Sequence, residues 1–133
     1  MIMDETKRYT LPKAELLNSY MLMEKLFGGG SKSFPAFPLR IVYMPVEGEQ
    51  WPTVSLLISV PKKRFKRAVK RNLVKRQIRE AYRTHKYLLT DKLEAKGMKL
   101  VIAMIWLDHE IHTGQEVEEK VLKLLQLTAE KIG

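Results

Sequence analysis

Residues Leu100-Val101-Ile102-Ala103-Met104-Ile105-Trp106-Leu107 form the longest unbroken apolar run in the chain. A bilayer span needs roughly 18 apolar residues, so this run is too short by half. Read as a strand, Lys99–Leu107, it turns alternate side chains to opposite faces, and both faces are apolar. Such a strand belongs in the middle of a sheet that is covered on both sides. The chain must therefore build a sheet with a buried centre.

The other elements follow from periodicity and breakers. Leu16, Leu17, Tyr20, Met23, Leu26 and Phe27 recur at helical spacing over Leu11–Phe27, and Gly28-Gly29-Gly30-Ser31 ends that helix. Leu39–Met44 reads as a strand, with a further short strand possible near Phe34–Phe37. In a second strand, Val54, Leu56, Ile58 and Val60 share one face, and Pro61 ends the ladder. The short turn at Glu47-Gly48-Glu49 predicts that these two strands pair as an antiparallel hairpin. A helix is expected over 66–89. After His112-Thr113-Gly114 comes a last helix, Gln115–Ile132, with Val117, Val121, Leu124, Leu125 and Thr128 as its apolar stripe. The order α-β-β-α-β-α implies an α+β sandwich, helices against one small sheet. At 133 residues the chain fits one domain. Residues 1–9 read as a tail and 10–133 as that domain. The N-terminus has early acids and no apolar core, so no secretory signal is expected, and the predicted location is cytoplasmic.

Charge is concentrated in one place. Residues 62–83 hold 11 Lys and Arg and a single acid, Glu80. The remaining 13 basic and 14 acidic residues nearly cancel, so the net charge of +9 comes from this segment. A block of one sign repels itself, and a polyanion relieves it. Nucleic acid is the commonest such partner.

At about 100° per residue, Asn72, Lys75, Arg76, Arg79, Arg83 and Lys86 fall on one arc of the helix. Leu73, Val74, Ile78, Ala81 and Leu88 fall on the opposite arc. Arg67, Lys70 and Arg71 lie nearer the apolar side, in first turns expected to overhang the core. Lys62, Lys63, Arg64 and Lys66 carry the basic zone into the preceding loop. Arg suits phosphate because its planar fork donates two hydrogen bonds at once. Asn72 could bond a phosphate, a 2′-hydroxyl or a backbone group. A membrane-surface helix would need its apolar face free for lipid, but the sheet needs that face as core.

Ala68-Val69, Arg71-Asn72, Lys75-Arg76, Ile78-Arg79-Glu80 and Arg83, after Lys62-Lys63, resemble the signature of the bacterial ribonuclease P protein subunit. A weaker resemblance runs through Thr10-Leu11-Pro12-Lys13, Leu26-Phe27 and Pro38-Leu39-Arg40-Ile41-Val42-Tyr43. The chain departs from the pattern at Leu73, where the family has Arg, at Pro61, where it has Ser, and at Leu16-Leu17, where it has Arg-Leu.

The resemblance implies a compact two-layer α/β sandwich, α-β-β-β-α-β-α, with a left-handed βαβ crossover. It implies two partners, a catalytic RNA subunit and precursor tRNA, one protein copy per RNA and no membrane. The complex removes the 5′ leader from precursor tRNA. Mg²⁺ is the cofactor, bound mainly by RNA, and the chemistry belongs to the RNA. On this reading Lys62, Lys63, Arg64, Lys66, Arg67, Lys70, Arg71, Asn72, Lys75, Arg76, Arg79 and Arg83 bind RNA. A groove between the sheet and the first helix holds the leader, with Met23, Phe27 and Tyr43 as contacts and Phe34 and Phe37 as further aromatic candidates.

Chemistry internal to the chain is sparse. A protein-only phosphodiesterase needs clustered carboxylates for metal or a His pair for acid–base work. Glu80 is placed to bond an Arg. Asp108, His109, Glu110 and His112 form a loop cluster without a second ligand pair. Gly30-Ser31-Lys32-Ser33 lacks the Gly before Lys of a P-loop and follows a helix. His85 is expected to pack. No catalytic or metal-ligating residue is assigned. With no cysteine, thiolate chemistry is excluded. The competing reading is a ribosomal or other structural RNA-binding protein without an enzymatic role; a self-sufficient nuclease is a third.

Overall fold

The computed structural model describes Leu26, residues 31–49 and residues 51–132. Among them the order is β1 (Lys32–Ala36), β2 (Leu39–Val46), β3 (Val54–Ser59), α1 (Ala68–His85), α2 (Tyr87–Lys96), β4 (Lys99–Trp106) and α3 (Gly114–Ile132). The expected first helix lies outside the described residues apart from Leu26, which is helical and buried.

The strands form one sheet in the order β1-β2-β4-β3. The two-sided apolar run occupies the interior as expected, with β2 antiparallel on one side and β3 parallel on the other. The predicted hairpin between β2 and β3 is therefore corrected. The two strands do run in opposite directions, but β4 lies between them. The connecting loop passes the start of β4, where Lys99 Nζ donates to the Gly48 carbonyl at 2.8 Å and the Leu100 amide to that of Thr53 at 2.9 Å. β4 takes the place because its residues Leu100–Trp106 are apolar without a break, and burying both of its faces outweighs a local turn. The short strand near Phe34 is real: β1 pairs with β2 through the turn Phe37-Pro38.

Leu39, Ile41, Tyr43, Leu56, Ile102, Met104 and Trp106 point to one face, where α1, α2 and α3 bury it. Val42, Val46, Val101 and Ala103 point to the other, against Leu26. The stripe predicted for the last helix is buried throughout.

The expected helix over 66–89 is two helices. The chain turns at Lys86, whose carbonyl accepts from the amides of Leu89 (3.0 Å) and Thr90 (2.9 Å). The turn lets Leu89 and Leu93 reach the core. Gly97 ends α2 at φ 66°, a left-handed position that favours glycine, with its amide bonded to the Glu94 carbonyl. Thr113 and Glu116 cap α3 reciprocally. The Glu116 amide donates to Thr113 Oγ1 and the Thr113 amide to Glu116 Oε1, each at 3.1 Å.

Candidate nucleic-acid interface

α1 buries Val74, Ile78, Ala81 and Tyr82 against the core. This leaves its cationic side in water. Lys62, Lys63, Lys66, Arg67, Lys70, Asn72 and Arg76 are exposed, and Arg64, Arg71, Lys75, Arg79 and Arg83 are half-buried. Arg67 is the N-cap, extended at φ −85° and ψ 130°, with no side-chain cap bond, and no acid lies in the first turn. A helix start leaves amide N–H groups without helical partners and carries partial positive charge. Lys and Arg gathered there raise the positive potential further. The arrangement costs stability in the free protein and favours a bound anion.

Three of the predicted contacts are also tied into the protein. Arg71 Nη1 donates to the carbonyls of Phe65 (2.7 Å) and Lys66 (3.0 Å), pinning the entry loop to the helix. Arg83 forms an ion pair with Glu80, and its hydrogen bonds hold that carboxylate below the ordinary range. Arg64 Nη1 lies 3.2 Å from His109 Nε2. Sequence spacing carries no sign of the Arg71 or Arg64 contacts, because both depend on loop conformation.

Several expectations change. Lys86, assigned to the cationic arc, is 3 % exposed. It sits at the α1–α2 turn with Nζ 5.4 Å from the centre of the Tyr87 ring. Leu73 leaves the core side and helps line an open groove of about 590 Å³ between α1 and α3, with Arg76, Gln77, Glu80 and Glu118 also at its walls. His85 is not packed inside: its Nε2 meets Glu118 Oε2 at 2.7 Å, joining α1 to α3.

Tyr43, expected as a leader contact, lies in the helix-covered core cluster. It is 3 % exposed, on the helix-covered face opposite Leu26, and its ring stacks on Phe34 at 5.8 Å. Burial raises its hydroxyl pKa. The alternation of β2 decides its placement: Leu39, Ile41 and Tyr43 must share a face. Phe34 is partly buried in the same cluster, whereas Phe37 is 60 % exposed. Met23 and Phe27 lie outside the described residues.

In the loop after β4, His112 Nε2 bonds Asp108 Oδ2 at 2.7 Å, which together with the His109 amide lowers the Asp108 pKa. Among the described residues no group of three or more His, Asp and Glu side chains could hold a metal ion. No described helix is long and apolar enough to cross a membrane.

The family model for Ribonuclease P matches residues 11–126. The chain belongs to the ribonuclease P protein family. It is 41% identical over 117 residues to the "Ribonuclease P protein component" of Porphyromonas gingivalis, covering 88% of this chain and 85% of that one. To the protein of that name from Chlorobaculum tepidum it is 36% identical over 95 residues, covering 69% and 61%. The ribonuclease P protein of Staphylococcus aureus has the same fold, with a TM-score of 0.69 at 20% identity over 87% of this chain and 96% of that structure. The family signature at 62–83 thus maps onto α1 and its entry loop, and most of its basic residues face outward.

Proposed function

We propose that this chain is the protein component of ribonuclease P, a tRNA-processing endoribonuclease, and that it docks one copy per catalytic RNA in the cytoplasm. The observation that carries the reading is the exposed cationic side of α1, which begins at an uncapped helix start. Lys62, Lys63, Lys66, Arg67, Lys70, Asn72, Lys75, Arg76 and Arg79 take phosphates and sugar edges of RNA. Arg64, Arg71 and Arg83 contribute charge while holding the surface in shape. Precursor tRNA is the substrate, and its single-stranded 5′ leader lies in a groove between the sheet and the first helix, with Met23 and Phe27 as contacts. Mg²⁺ supplies the metal chemistry and is held mainly by RNA. The protein positions substrate and screens phosphate repulsion, which lets Mg²⁺ act at low concentration. Family membership favours this reading over a structural RNA-binding protein.

Reconstitution tests it. Purified protein alone leaves precursor tRNA intact. Protein plus catalytic RNA removes the leader at a Mg²⁺ concentration where the RNA alone is slow. Arg76→Ala lowers the slope of log affinity against log salt by about one. Cleavage by RNA-free protein, or no stimulation of the RNA, overturns the reading.

A further inference from the structure

Three loops meet at one end of the sheet. Leu39 pairs with Trp106 and Ser59 with Ile105, so the start of β2 and the ends of β4 and β3 are level. The turn Phe37-Pro38, the 107–113 loop and the 60–67 loop therefore stand in a row, in the strand order β2, β4, β3. Two strand spacings, about 10 Å, separate its ends.

At one end of the row the Phe37 ring is 60 % exposed. Its support is fixed. The His112 ring meets it edge-on, with centroids 6.5 Å apart at 75°. His112 is itself held by the Asp108 carboxylate and by the edge of Trp106 at 5.4 Å. At the other end Lys62 and Lys63 are exposed, and Arg64 is steadied by His109 between them and the centre. Of the acids in the row, Asp108 is bonded to His112 and to the His109 amide, and Glu110 is exposed.

A single exposed apolar residue is ordinary. A propped, exposed ring in line with three cations is the arrangement that holds an unpaired nucleic-acid strand: bases stack on the ring and cations take the phosphates. We infer that Phe37 is a stacking platform for an unpaired nucleotide of the catalytic RNA, with Lys62, Lys63 and Arg64 on the flanking phosphates. The catalytic RNA is the source because the 60–67 loop runs without a break into α1, the surface that docks it. The inference rests on the functional reading above for the identity of that RNA.

Phe37→Ala and Phe37→Trp in the full chain test it, with the ribonuclease P RNA from the same source as probe. Phe37→Ala keeps the parent's thermal midpoint and binds the RNA about tenfold more weakly. Its salt slope equals the parent's, because no phosphate contact is lost. Phe37→Trp keeps parental affinity, and the catalytic RNA alone quenches its added fluorescence over that of Trp51 and Trp106. Parental affinity in Phe37→Ala overturns the inference while the parent's binding leaves the functional reading standing. A Phe37→Trp signal that changes only when precursor tRNA is added also overturns it, assigning the platform to substrate. A parent that does not bind the RNA removes the functional reading and the platform with it.

Discussion

The Arg71 guanidinium reaches back from the first turns of α1 to the carbonyl of Phe65, 2.7 Å away, and to that of Lys66. Phe65 is buried, so this one side chain ties the basic entry loop both to the helix and, through Phe65, to the core. Arg71 is thus a brace of the cationic surface. Arg71→Ala is expected to cost about 1–2 kcal/mol of stability, the scale of charge-assisted hydrogen bonds. Arg71→Lys keeps the charge but loses the fork, and should recover only part of the loss. Thermal or denaturant unfolding of the free protein measures both; parental stability in Arg71→Ala would confine the residue to RNA contact.

Arg67 occupies the N-cap of α1 without making a cap bond. Arg67→Asp supplies the missing acceptor and should stabilise the free protein by about 1 kcal/mol. The same change places a negative charge where phosphate is expected and should weaken RNA binding. Unfolding and filter binding on one preparation read the two effects. If both rise together, the start of α1 is not part of the RNA surface.

Tyr43 belongs to the core, stacked on Phe34. Tyr43→Ala is expected to destabilise by about 3–5 kcal/mol, as large-to-small core changes of aromatic residues do. Any loss of substrate affinity should then be equal for precursor tRNA with long and short leaders. A loss confined to long leaders would return Tyr43 to the leader site.

Asp108 is held below the ordinary aspartate range, first by its hydrogen bond to His112 and then by the His109 amide. A carboxylate depressed in the folded state adds stability that is complete above the unfolded pKa and is lost as pH falls through the folded one. Asp108→Asn should therefore lower stability at neutral pH and flatten the acid limb of the stability curve below the normal aspartate range. Denaturation midpoints across acidic pH measure this; a parallel shift of the whole curve would mean that the aspartate charge plays no part.

Much of the site was readable from the chain. The spacing of Val74, Ile78 and Ala81 fixed which side of α1 is buried, and so which side shows its cations. Thr113 and Glu116 carry the T-x-x-E spacing of a capping box, a signal present in the residues alone. Lys86 was beyond reach of a periodicity argument, because the helix turns at that residue and the arc ends with it. Leu73 shifted for a related reason: it sits at the border of the buried arc, and the position of α3 decides whether it meets core or groove.

The chain by itself determined that a doubly apolar strand would be central, that one segment would carry the excess charge, and that this segment would be helical with a buried side. These follow from local periodicity and from the cost of leaving apolar surface in water. Only the tertiary structure decided that β4 enters between β2 and β3, that Arg71 and Arg64 turn part of their bonding inward, and that Phe37 and the 60–67 loop stand in one row. Those are contacts between residues distant in sequence. They arise from which faces must be covered together, and no local pattern encodes that choice.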